Sequence, residues 1–95
     1  MEILTPVSIL SLKKTGPRTL EMRLQIAQTQ HLYSAPYQSG EFRLFDFPEE
    51  LRRVLRQQPA TSWRLLQVLT DFLERKPIAL PLSLTDVEAE RREAA

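Results

Sequence analysis

The chain of 95 residues has no cysteine, only two glycines, one histidine and one tryptophan. Without cysteine there is no disulfide framework, no thiolate nucleophile and no cysteine metal site. Gly16 and Gly40 do not stand between a strand and a helix in the pattern of a phosphate loop, which excludes nucleotide binding by that route. The lone His31, between Gln30 and Leu32, has no nucleophile elbow nearby and no second histidine to share a metal. No catalytic residue, cofactor or metal is expected, and the chain reads as a non-enzyme.

Net charge is also scarce. Thirteen Lys and Arg oppose twelve Asp and Glu, so no global field draws the protein to nucleic acid or to anionic membrane. No window approaches the roughly 18 to 20 apolar residues of a membrane-spanning helix. The opening MEILTPVSIL begins with an acid and interrupts its apolar run at Thr5, Pro6 and Ser8, unlike an export signal. A soluble, cytoplasmic protein is the expectation.

What is present is the composition of one ordinary globular domain, 42% hydrophobic and 26% charged. A chain of this size folds around one core and leaves little room for a deep internal pocket. Its seven prolines mark where elements start and stop. Between Pro6 and Pro17, Val7 and Ile9 share one parity while Leu10 and Leu12 share the other, which a strand with a bulge reconciles. TGPR is a turn. In TLEMRLQIAQ, Leu20, Met22, Leu24 and Ile26 alternate with Glu21, Arg23 and Gln25, the pattern of a half-buried strand.

SAPYQSG reads as a loop, placing His31, Leu32, Tyr33 and Tyr37 in a connection free to make contacts. EFRLFDF then reads as a third strand whose Phe42, Leu44 and Phe45, with Phe47 beyond, fill the seam between sheet and helices. A helix over 47–58 follows, with Asp46 as cap, Glu49 reaching back and Pro48 in the first turn. Phe47, Leu51, Val54 and Leu55 form its inward face. A second helix, capped by Thr61 or Ser62 and stopped by Pro77, presents Leu65, Leu66, Val68, Leu69, Phe72 and Leu73; the short link makes a helical hairpin. Over 78–84, Ile78, Leu80, Leu82 and Leu84 alternate as a strand that Pro81 confines to a sheet edge. TDVEAERREAA offers a capping box from Thr85 to Glu88, too short a helix to hold alone.

The expected fold is therefore α+β: an antiparallel sheet of three to four strands with a two-helix hairpin packed on one face, a single domain over 1–84 and a charged, fraying tail over 85–95. Glu49, Glu50, Asp71 and Glu74 stand beside cations at helical spacing and read as solvated salt bridges. Two features could carry binding. Trp63 falls outside the apolar arc of its helix and should flank the core or face out, where a tryptophan anchors partners. Arg52, Arg53 and Arg56 form a basic stripe suited to phosphate or to an acidic partner.

The reading that follows is a regulatory or adaptor module that binds a partner protein, or a second copy of itself, through Tyr33, Tyr37, Trp63, Leu80, Leu82 and the 78–84 edge. The alternative is a nucleic-acid-binding domain that uses Arg52, Arg53 and Arg56.

Overall fold

The computed structural model describes residues 4–87 and 89. Its sheet is antiparallel and has five strands, one more than the upper expectation, in the order β4-β3-β2-β1-β5. The strands are β1 (Val7–Gly16), β2 (Thr19–Ile26), β3 (Thr29–Gln38), β4 (Glu41–Phe42) and β5 (Leu82–Ser83). Helices α1 (Glu49–Gln57) and α2 (Pro59–Leu73) follow β4. Their buried residues and those of the inner sheet face form one core.

β1 and β2 follow from pattern. Ile9 pairs with Leu24 and Ser11 with Arg23, so Leu10 has no partner and forms the bulge that brings Val7, Ile9 and Leu12 to the same side. On β2, Leu20, Met22 and Leu24 are fully buried and Ile26 packs against them, while Arg23 faces solvent.

The extra strand is β3. The segment expected to be a loop is a ten-residue strand, paired with β2 without a break from Thr29–Ile26 to Pro36–Thr19. Tyr33 and Ala35 are buried and Tyr37 packs against the core. The two tyrosines are therefore not free loop side chains: the alternation that β2 imposes turns them inward.

The expected strand over 41–47 is correspondingly short. Ser39 and Gly40, both at positive φ, turn β3 into the two-residue β4, which pairs Glu41 with Gln38 and Phe42 with Tyr37. A single 3-10 turn, Leu44–Asp46, comes next. Phe42 and Phe47 join the core as expected, but Leu44 and Phe45 do not.

Asp46 does not cap α1. Phe47 precedes a proline and is held extended at ψ 156°, Pro48 is extended at ψ 150°, and the helix starts at Glu49. Leu51 and Leu55 then face the core as spaced, with Val54 at its margin. Nor does Thr61 or Ser62 cap α2. That helix begins at Pro59, whose fixed φ and missing donor suit the first helical position, so both hydroxyl residues lie in its buried first turn.

The α1–α2 junction is the buried Gln58. Its Oε1 accepts from the Thr5 N–H at 2.6 Å and its Nε2 donates to the Thr5 carbonyl at 3.0 Å. It closes on the entering chain as a strand partner would. α2 ends with Arg75 at φ 62°, where Arg75 N–H donates to the Phe72 carbonyl and Lys76 N–H to that of Asp71. This left-handed cap stops the helix before Pro77 is reached.

β5 sits at the edge beside β1, but only Leu82 and Ser83 pair, with Ile9 and Ser8. Pro81 has no donor to extend the ladder. The expected strand over 78–84 shrinks accordingly, with Leu80 exposed, Ile78 and Leu82 against the core and Leu84 inside it. Residues 86–87 and 89 are helical, and Ala89 N–H donates to the Thr85 carbonyl at 3.0 Å. Glu88 and 90–95, and with them the acidic half of the expected capping box and most of the tail, lie outside the described residues. Among the described residues no helix is long and apolar enough to cross a membrane.

Candidate interaction surface

The residues expected to share one binding surface are separated by the fold. Tyr33 and Tyr37 belong to β3 and Leu82 to β5, with two strands between them. Trp63 is 65% exposed on α2, the outward of the two placements its angle allows, beside Leu66, Gln67 and Thr70. Leu80 is exposed just ahead of β5.

A more coherent surface forms where β4 hands the chain to α1. The 3-10 turn is closed by Asp46 N–H to the Arg43 carbonyl and Phe47 N–H to the Leu44 carbonyl, each at 3.1 Å. Phe47, buried below, anchors it. The turn carries Leu44 and Phe45 outward while Phe47 turns in, leaving Leu44 39% and Phe45 65% exposed. The Arg43 guanidinium lies 5.9 Å from the centre of the Phe45 ring. Leu44 and Phe45 form one wall of a cleft of about 310 Å³; Leu55, Arg52 and Arg56 of α1 form the other.

The basic stripe takes part in this cleft. Arg52 Nη2 donates to Glu49 Oε2 at 2.6 Å and Arg56 Nη2 to Glu49 Oε1 at 3.1 Å. One carboxylate thus holds two guanidiniums on the cleft rim. The Arg52 Nε is buried without a hydrogen-bond partner. Arg53 is exposed one residue on, 100° around the helix from Arg52. Sharing Glu49 lowers the charge that the stripe presents to phosphate and fixes two of its members beside apolar carbons.

Comparison with protein-family models, with curated proteins and with solved structures found no match to this chain.

A second polar cluster joins α1 to β3. Tyr33 donates its hydroxyl to Glu50 Oε1, and His31 Nδ1 lies 3.3 Å from the same oxygen. The two rings stack with centres 5.5 Å apart and planes 9° from parallel. Glu50, read from sequence as one rung of a solvated helix, instead ties the helix to the strand. Burial first, then the hydrogen bond to Glu50 and the charge of that carboxylate, pushes the Tyr33 phenol well above its ordinary value.

A phenol whose folded pKa is raised stabilises the fold fully below its unfolded pKa near 10 and loses that contribution as pH climbs beyond it. Tyr33→Phe is expected to cost about 1 kcal/mol at neutral pH, one hydrogen bond to a largely exposed partner. The gap between wild type and variant should close above about pH 10, where the wild-type phenol begins to ionise in the unfolded chain. Urea melts of both proteins across the alkaline range measure it. A gap that stays constant would detach Tyr33 from Glu50.

Proposed function

We propose that this protein is a small interaction module whose working surface is the Leu44–Phe45 cleft, and that it receives an apolar side chain of a partner segment whose acidic neighbours meet Arg52 and Arg56. The observation that carries the reading is the exposure of Leu44 and Phe45 on a turn hydrogen-bonded at both ends and anchored by Phe47. A side chain of this size forgoes about 1.5 to 3 kcal/mol by staying out of an apolar environment, which a partner would recover. Arginine beside an aromatic ring is also the composition favoured at interface centres. Trp63, exposed on the next helix, offers a second anchor.

The test is a selection of random peptides displayed on phage, run in parallel on the wild-type protein and on Phe45→Asp. The wild type should enrich peptides with a large apolar residue flanked by Asp or Glu. Binding of the enriched peptides should fall at least about tenfold in the variant, about 1.4 kcal/mol, while its melting temperature is retained. Equal enrichment on both proteins would remove the cleft as the site.

The nucleic-acid alternative relies on Arg52, Arg53 and Arg56 and draws less support: Glu49 offsets part of the stripe's charge, which weakens a site built on charge alone more than a cleft whose contact is chiefly apolar. A titration with single-stranded and duplex RNA and DNA at low and physiological salt decides it. Binding that weakens steeply with salt, with a slope flattened by replacing the three arginines, would promote it over the cleft.

A further inference from the structure

The sheet has two ends, and both outermost strands are only two residues long. β5 is followed by chain that turns into the core at Leu84, and β4 by the 3-10 turn. Because β4 pairs with β3 only at Tyr37 and Gln38, β3 from Thr29 to Pro36 has no strand on its outer side among the described residues.

The direction of each backbone group there follows from the register. Tyr37 N–H donates to the Arg18 carbonyl at 2.9 Å, and Ile26 and Thr29 flank a two-residue turn. Alternation then turns residues 29, 31, 33, 35 and 37 toward β2. Gln30, Leu32 and Ser34 turn their N–H and carbonyl groups outward, and Pro36 turns out a carbonyl alone.

Native edges are commonly guarded by a charge, a bulge or a proline. This one has no Asp, Glu, Lys or Arg in the whole of TQHLYSAPYQ, no break in register with β2, and a proline only at its far end. Leu32, at its centre, is 56% exposed.

We propose that this edge pairs with the same edge of a second copy, antiparallel about a two-fold axis at Leu32. Two registers pair every outward N–H. Centred on Leu32, Gln30 faces the partner's Ser34 and Ser34 faces the partner's Gln30, so every outward N–H of the three residues meets an outward carbonyl of the same three. Centred on Tyr33, the pairing sets Pro36 against Gln30 and leaves the Gln30 carbonyl without a donor, just as the Leu32 register leaves that of Pro36; only the Leu32 register also lays Leu32 against its own copy. Moved to centre on His31, the pairing sets Ser34 against Gln28, which lies in the turn.

Length agrees with register. The open stretch is closed at one end by β4 and at the other by the Ala27–Gln28 turn, and it accepts a strand of its own length. The strand carries no Asp, Glu, Lys or Arg of its own; the carboxylate beside it is Glu50 of α1, bonded to Tyr33 and 3.3 Å from His31. The pairing would lay Leu32 against Leu32 on the outer face and His31 against the partner's Tyr33 on the inner face, where stacked rings already lie. This inference stands on the edge alone and is independent of the cleft. One strand pair is smaller than a standard interface, so the association belongs in the weak, reversible class.

Sedimentation velocity from about 10 μM to about 1 mM, combined with amide hydrogen exchange on the full chain, tests it. The expected result is a species of twice 11.1 kDa whose fraction grows with concentration. The amides of Gln30, Leu32 and Ser34 should slow in parallel, while those of His31, Tyr33 and Ala35 are slow throughout. Leu32→Lys, which changes an exposed side chain and sets like charges opposite each other, and Ser34→Pro, which deletes an outward donor, should each weaken the dimer at least about tenfold. Phe45→Asp should leave it intact.

A monomer throughout the range overturns the proposal. So does a dimer in which those three amides exchange freely, or one that survives both edge variants.

Discussion

Gln58→Leu is expected to cost the fold about 2 to 3 kcal/mol, the penalty of stranding polar groups that no longer meet a partner. The side chain is buried where α1 stops and α2 starts. It accepts from the Thr5 N–H, donates to the Thr5 carbonyl and lies 3.3 Å from the Thr61 hydroxyl. Leucine fills the same space and satisfies neither group of Thr5. The segment entering β1 would lose the bonds that hold it to the helical junction.

Gln58→Glu sharpens the test, because it keeps the shape and the acceptor. Its second oxygen would face the Thr5 carbonyl, acceptor against acceptor, so at neutral pH it should be no better tolerated than leucine. Denaturant melts of the three proteins provide the measurement. If Gln58→Glu proves as stable as wild type, the amide is not bonded to Thr5 as described.

The second large effect separates two apolar residues of one helix. Leu69 is fully buried on α2, and Leu69→Ala should cost about 2 to 5 kcal/mol through lost transfer energy and the cavity left behind. Trp63, six residues earlier, is exposed, and Trp63→Ala should change stability by less than about 1 kcal/mol. Against a domain stability on the order of 5 to 15 kcal/mol, the first variant is marginal and the second ordinary. Equal losses in the two would mean that Trp63 is covered in solution, which would itself point to an occupied surface on α2.

Much of the fold was legible where one face is apolar and the other charged. β2 could be read residue by residue because Leu20, Met22 and Leu24 alternate with Glu21 and Arg23, and the parity change in β1 announced its bulge. The inward face of α1 and the outward angle of Trp63 followed from 100° steps. β3 escaped because its inward positions are His31, Tyr33, Ala35 and Tyr37, and its outward ones include Leu32 and Pro36. The contrast between faces is weak, and proline and serine suggest a loop. Only the pairing with β2 makes that segment a strand.

The candidate surface was partly visible. The arginine stripe and its acidic neighbours could be read, but not that Glu49 would take Arg52 and Arg56 while Glu50 turned to His31 and Tyr33. From sequence Leu44 and Phe45 read as core, because aromatic and aliphatic residues in alternation usually are. Hydrophobicity states that a side chain gains by burial, not whether the turn it sits on reaches anything to bury it against.

The sequence by itself determined the α+β class, the two strongly patterned strands, the helical hairpin and the exclusion of cysteine and phosphate-loop chemistry, because these depend on local dihedral preferences and on which groups exist. Tertiary structure alone decided the fifth strand, the open edge from Thr29 to Pro36 and the exposure of Phe45. Each depends on where the neighbouring chain stops. β4 ends after two residues and leaves open the edge used by the dimer proposal, while the turn that follows it carries the separate cleft.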